Sequence, residues 1–229
     1  MSLDSSKRDD EYVQWLTIAC APYLLIGLVN GLYLPYLFEL NPPYFWFADG
    51  LHNIGLLLFA VVILAAKLDL YPRDYGFRSP FPDYTIGAFA FLVFILSFGT
   101  ILAYGLSGVI AAAVFGTRES AFGYQQVLPT SGMTRMIATA YLSLTAAFSE
   151  EIICRAIPWL IFQRLLSSPK PAYVIVTSVI FALIHWETGI ANVVASFSVG
   201  LVFSIAYLKL RNIWPLVIAH AVIDLIAFM

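Results

Sequence analysis

The sequence predicts an all-α protein that crosses a membrane about seven times, or eight if one long segment breaks. Three observations carry this reading. Hydrophobic residues make up 61% of the 229 positions and charged ones only 11%, where ordinary soluble domains hold roughly a quarter charged. The apolar residues come in continuous runs, several of them long enough to span a hydrocarbon core, which takes about 20 helical residues. Those runs also lack the two-residue alternation of barrel strands. The same composition excludes a soluble domain and a disordered chain. A net charge of −2, from 12 basic and 14 acidic residues, leaves no footprint for a polyanion, so nucleic acid is excluded as a partner and the lipid bilayer is implied.

The first run, Val13 to about Leu34, follows a tail over residues 1–12 that carries Lys7, Arg8 and an acidic cluster. It is too long for the apolar region of a signal peptide and lacks a clear small-residue cleavage site, so a retained span is expected. The second run is about Leu51 to Leu70. The third, Tyr84 to about Phe115, is long enough to tilt or kink, and a polar interval follows from Gly116 to Thr134. Four runs complete the chain: about Arg135 to Leu166, Ala172 to Trp186, Ile190 to Leu208, and Ile213 onward. Pro158 inside the first of these four predicts a kink or break. Trp15, Trp46, Trp159, Trp186 and Trp214 fall near span ends, as interfacial anchors do. Cys20 and Cys154 lie in apolar segments and read as buried small hydrophobes. The whole chain, 1–229, reads as one membrane domain, with its chemistry in residues 130–229.

Basic residues set the orientation. With seven crossings and a cytoplasmic N-terminus, Lys7, Arg8, Lys67, Arg73, Arg78, Arg164, Lys170, Lys209 and Arg211 fall on the cytoplasmic side. Arg118 and Arg135 fall opposite, and Arg155 lies within a span. That partition predicts a multi-pass protein of the cell membrane with its C-terminus on the far side.

A charge inside a span is costly and marks function by default. Here the charges cluster: Ser149-Glu150-Glu151-Ile152-Ile153-Cys154-Arg155 in the fourth run, His185 at the end of the fifth, and His220-Ala-Val-Ile-Asp224 in the last. At about 100° per residue, Glu151 and Arg155 share a face while Glu150 points elsewhere. Glu151 and Arg155 therefore read as a supporting ion pair, and Glu150, without a cation on its own helix, as a general base or acid. A hairpin centred between Ser167 and Ser168 sets His185 opposite Glu150. His220 and Asp224 are one turn apart; the carboxylate can orient the imidazole, or both can bind a metal. Glu150, His185, His220 and Asp224 together form an oxygen and nitrogen set that zinc accepts, although the HExxH spacing is absent.

Lesser candidates are weighed beside these. Phe181 packs below His185, with substrate contact as the alternative. His52, beside Asp49, reads as interfacial, and Glu187 as solvated just past a helix end. Depth leaves one conflict. His220 lies roughly 10 Å in from the Lys209–Arg211 loop, whereas Glu150 lies about 26 Å from the Ser167 turn. Either the fourth and fifth helices project past the membrane or Pro158 bends the fourth.

The ordered motifs Glu150-Glu151-x-x-x-Arg155, Phe181-x-x-x-His185 and His220-x-x-x-Asp224 resemble the CPBP family of intramembrane proteases, also called the Abi or CAAX-protease family. The resemblance covers roughly residues 130–229, and Asp74-Tyr75-Gly76-Phe77-Arg78 echoes a Gly-and-Arg loop of prokaryotic members. It implies a helical membrane protein whose polar cavity hydrolyses a peptide bond of a membrane-associated peptide or protein. Glu150 would activate the water with help from His185, while His220 and the residue at 224 would stabilise the oxyanion. Members are described both as zinc metalloproteases and as metal-independent, glutamate-dependent enzymes, so Zn2+ is an open cofactor. Well-known members carry asparagine where this chain has Asp224. A carboxylate would repel an oxyanion, so Asp224 is expected to orient His220 or to support a metal. The rivals to an endopeptidase are a membrane scaffold or immunity protein that keeps the site without turnover, and a proton-coupled transporter.

Overall fold

The computed structural model describes residues 3–79, 84–116 and 123–229, with side chains from Asp9 onward. Arg118 lies outside the described residues, as do the side chains of Lys7 and Arg8. Every regular element among the described residues is helical: α1 (Leu3–Leu28), α2 (Asn30–Leu40), α3 (Pro42–Gly50), α4 (Leu56–Leu68), α5 (Ile86–Phe115), α6 (Gly132–Glu151), α7 (Ile157–Leu165), α8 (Pro169–Leu183), α9 (Ile190–Leu210) and α10 (Trp214–Phe228). Short π-helical turns at Leu51–Gly55 and Ile152–Ala156 join α3 to α4 and α6 to α7.

Among the described residues, four continuous helices are long and apolar enough to cross a membrane: Pro42–Leu68, Ile86–Phe115, Gly132–Leu165 and Ile190–Leu210. The pair Asp9–Leu28 and Asn30–Leu40, which bends by 64° at its break, makes a fifth if it is one broken span rather than a re-entrant loop. The seven or eight crossings expected from the apolar runs are somewhat more than these four or five. The helices α8 and α10 are apolar but have only 15 residues each, about 22 Å long, short of the roughly 30 Å hydrocarbon core.

The short α8 has a packing reason. Its C-terminal turn is seated in the break between α1 and α2 rather than reaching an interface. Asn30 Nδ2 donates to Ile184 O at 3.0 Å, and Trp186 Nε1 donates to Leu28 O at 2.8 Å. Carbonyls orphaned at two helix ends are thus satisfied by side chains from the opposite break. Gly31 allows the close approach, because a Cβ there would stand 2.7 Å from Glu187 Cβ. Trp186 thus stays partly exposed while its indole N–H ties the turn to the end of α1.

The α8–α9 crossing is equally close. On α9, Ser196, Gly200 and Ser204 recur every four residues, and Ser204 Oγ meets Thr177 Oγ1 of α8 at 2.8 Å. A Cβ on Gly200 would lie 2.7 Å from Ser178 Cα and 3.2 Å from its carbonyl oxygen. Small residues let helix backbones approach where lipid gives no hydrophobic drive. Gly200→Val is expected to lower stability by about 1–3 kcal/mol, the usual range for overpacking, read as the thermal midpoint in detergent; an unchanged midpoint would contradict this close crossing.

The α6–α7 helix bears on the depth conflict. Pro158 produces no separate bent pair; Gly132–Leu165 is one span. The π turn absorbs the proline. Ile157 N–H bonds back to Ile152 O, five residues away, and the carbonyls this displaces find other donors. Cys20 Sγ lies 3.9 Å from Ile153 O, and Tyr173 Oη donates to Arg155 O at 3.2 Å. The helix then continues past the α9–α10 turn, where Arg211 lies 3.6 Å over the buried Trp159 ring. From Trp159 to Leu165 it runs on by about 9 Å. The helix therefore runs on beyond the level of the α9–α10 turn without a break at Pro158, and Trp159 is a core residue.

That end of the molecule collects positive charge. Lys67 lies over Trp15 at 4.9 Å, and Arg164 reaches Asp9 at 2.7 Å and stacks on Tyr12 at 3.5 Å. The Asp74–Arg78 loop docks there under the α9–α10 turn. Gly76, at φ 106°, offers its carbonyl to Ile213 N–H at 2.9 Å, and Arg78 O accepts from Asn212 Nδ2 at 3.1 Å. Cys20 and Cys154 are free and buried. At the opposite end, Arg135 donates to Pro129 O, Gln125 Oε1 and Phe228 O at 2.6–3.0 Å, tying the last turn of α10 to the segment before α6.

Candidate active site

Three elements converge on Glu150. The end of α6 carries Glu150 and Glu151, the end of α8 brings Phe181 and His185, and α10 supplies His220 and Asp224. The π turn directly after Glu151 is an uncommon conformation that recurs at functional sites. His185 sits two residues past α8, in the turn that the α1–α2 bend receives.

Glu150 Oε2 is 4.0 Å from His185 Nε2 and 3.8 Å from His220 Nε2, and the Glu150 side chain is 13% exposed. Hairpin register alone puts Glu150 and His185 at one level; α10 adds His220 to the pair. These separations exceed a direct hydrogen bond and suit a bridging molecule. His185 Nδ1 lies 2.7 Å from Phe181 O. A carbonyl only accepts, so Nδ1 carries the proton, and the neutral ring turns an acceptor Nε2 toward Glu150.

Glu151 does more than pair with Arg155. Its Oε1 accepts from His220 Nδ1 at 2.9 Å and stands 3.4 Å from Arg155 Nη1, with Glu151 and Arg155 fully buried. The carboxylate that fixes the His220 ring is thus Glu151, while Asp224 Oδ2 lies 3.5 Å from the other nitrogen, Nε2. Arg155 has no hydrogen bond at Nε, Nη1 or Nη2. Its charge is met by Glu151 and by the ring of Phe181, whose centroid is 3.9 Å from Cζ. Phe181 is 3% exposed and lies 4.6 Å from the His185 ring and 6.2 Å from the His220 ring, so it forms the floor between them.

All of these except Glu151 and Arg155 line one cavity of about 520 Å³. A buried polar network forms part of its lining: Tyr23 Oη meets Ser149 Oγ at 2.9 Å, Tyr23 Oη and Ser149 Oγ both reach Asn53 Oδ1 at 2.9 Å, and Asn53 Nδ2 donates to Asp49 Oδ1 at 3.0 Å.

One sequence expectation is overturned here: Glu187 is not solvated but 2% exposed. Asp49, 6% exposed, lines the cavity with it. His52 also lines it, half-buried, with its ring 4.1 Å from that of Tyr23. The missed signal was the polar set in and beside the first two apolar runs, Asn30, Asp49 and Asn53, since a polar group at such a position is as costly as the charges in the last runs.

For zinc, the donor types fit: two imidazole Nε2 atoms and carboxylates, with Glu150 Oε2 buried and without a hydrogen bond. Among the described residues, no group of three or more His, Cys, Asp or Glu side chains is arranged to hold a metal ion.

Residues 131–226 match the family model of the type II CAAX prenyl endopeptidases, Rce1-like. The matched stretch carries all three motifs, Glu150 through Asp224. No curated protein and no solved structure matches the chain.

Proposed function

For a chain that is Rce1-like over residues 131–226, we propose that it is a membrane-embedded endopeptidase that uses Glu150 to activate a water. The observation that carries this reading is the convergence of His185 Nε2 and His220 Nε2 on Glu150 Oε2. A water between Glu150 and His185 gives its proton to the Glu150 carboxylate as its oxygen attacks the peptide carbonyl. His220, donating from Nε2, stabilises the oxyanion of the tetrahedral intermediate. Glu150 then delivers its proton to the departing amine as the C–N bond breaks. Glu151 and Arg155 hold the His220 ring in place. A zinc ion, if bound, would be held by Glu150, His185, His220 and Asp224, and would supply Lewis acidity at the carbonyl.

Asp224 faces the same Nε2 at 3.5 Å and keeps a proton there, so that the ring can donate. Asp224→Asn is expected to lower kcat/KM by about tenfold, the effect of one lost interaction with a charged group. Retained or increased activity would show that the charge is not needed.

The basic end formed by Lys67, Arg78, Arg164 and Arg211 supports a cytoplasmic placement of the N-terminus in a cell membrane. The decisive experiment is cleavage of a peptide library by the purified protein, with Glu150→Gln as control and a chelator arm for the metal. Cleavage that survives Glu150→Gln overturns the mechanism. A cellular effect that survives it without any cleavage identifies a scaffold.

A further inference from the structure

The cavity is more acidic than the proposed reaction requires. Its lining includes the carboxylates Asp49, Glu150, Glu187 and Asp224, against the histidines His52, His185 and His220, and neither lysine nor arginine among the described residues. Arg155 does not line the cavity; it lies behind Phe181 and is already matched by Glu151.

Asp49 and Glu187 have no part in the hydrolytic step, and their burial needs a reason. Each is more than nine-tenths buried, and each keeps one carboxylate oxygen without a hydrogen bond, Asp49 Oδ2 and Glu187 Oε2. Their polar neighbours are neutral amides and a phenol, Asn53 and Tyr141 beside Asp49 and Asn30 beside Glu187, together with His185 near Glu187. Tyr33 and Tyr124 line the same cavity, and α2, which carries Tyr33, packs on both α3 and the turn that holds Glu187. The pair therefore belongs to one side of the cavity, faced by aromatic rings. A buried carboxylate without a counter-charge is costly, and more so within a membrane. A positive group entering from outside would relieve that cost and could also rest against the rings.

We propose that the Asp49–Glu187 wall binds a cationic group of the substrate, an ammonium or guanidinium close to the bond presented to Glu150. This rests on the endopeptidase reading and narrows its substrate class to peptides with a basic residue, or a free amino terminus, near the cleavage point. Asp49 lies on the α3 segment and Glu187 in the α8–α9 turn. The selecting wall is thus built by different elements from those that carry the reacting groups, apart from the turn shared with His185.

The test uses N-acetylated peptide pairs that differ only by lysine against norleucine beside the cleavage point, with a norleucine peptide bearing a free amino terminus as a third arm. The full-length protein in detergent is expected to cleave the lysine peptide with kcat/KM at least about tenfold above its norleucine partner, in the range of a close charge pair. The ratio should fall toward one in Glu187→Gln and Asp49→Asn. If only the free-amine norleucine peptide is preferred, the cation is the amino terminus. Cleavage with a ratio near one in the unmodified protein, or a ratio kept in both variants, overturns the proposal and leaves the endopeptidase reading standing. Binding of the same labelled peptides to Glu150→Gln, read by anisotropy, separates the two readings. Lysine-selective binding without any cleavage by the unmodified protein supports the acidic wall and rejects the peptidase. Absence of both binding and cleavage overturns both.

Discussion

Glu150→Gln is expected to reduce peptide cleavage by about 10²–10⁴-fold, the usual contribution of a positioned general base. The substitution is nearly isosteric. It keeps an amide where the carboxylate faces His185 and His220 at 4.0 and 3.8 Å, but it cannot accept the proton of a water. Because Glu150 Oε2 takes no hydrogen bond in the structure, replacing it breaks no network, and the thermal midpoint should remain within a few degrees of the original. Loss of turnover with an intact fold is the signature sought. A fall in both would mean that Glu150 is structural.

The second large effect is expected at Arg155. The side chain is fully buried, and Glu151 and the Phe181 ring are what meet its charge. Arg155→Ala leaves the buried Glu151 with His220 alone to meet its charge and opens a void, so a loss of about 3–5 kcal/mol is expected, as for other broken buried pairs. Activity should fall as well, because Glu151 also fixes His220 Nδ1 at 2.9 Å. The double change Glu151→Gln with Arg155→Met removes both charges at similar volume and should recover much of the stability. It should not recover turnover, since a neutral amide at 151 no longer draws positive character to His220. Thermal midpoints and kcat/KM on the unmodified protein, Arg155→Ala and the double variant separate the two roles. Equal recovery of both would make the pair purely structural.

The helical class was legible because continuous apolar runs without alternation admit little else in a bilayer. The ends of the runs were less so. Composition cannot tell a 15-residue helix followed by a buried turn from a full crossing, and the stretch ending at Trp186 is apolar throughout whether or not it reaches the far interface. The proximity of Glu150 to His185 followed from counting along a hairpin, which needs only the turn and the rise per residue. The bond from His220 to Glu151 did not follow, because it joins helices whose relative rotation no local pattern encodes. Asp49 and Glu187 escaped for a related reason. Each sits near the end of an apolar stretch, where an acid usually meets water, and only the bend at Val29 and the turn seated in it make those ends interior.

The π turn at Ile152–Ala156 divides the longest crossing into two rotational frames. An α-helix advances by about 100° per residue, so the extra residue accommodated there offsets every side chain below it from every one above. The upper frame aims Glu150 and Glu151 at α8 and α10. The lower one aims Trp159 and Arg164 at Arg211 and Asp9. Losing a single residue from the turn would merge the two frames and swing one set of contacts away, even with each functional side chain still present. Chain length at this point is therefore as much a determinant of the site as the identity of any residue in it.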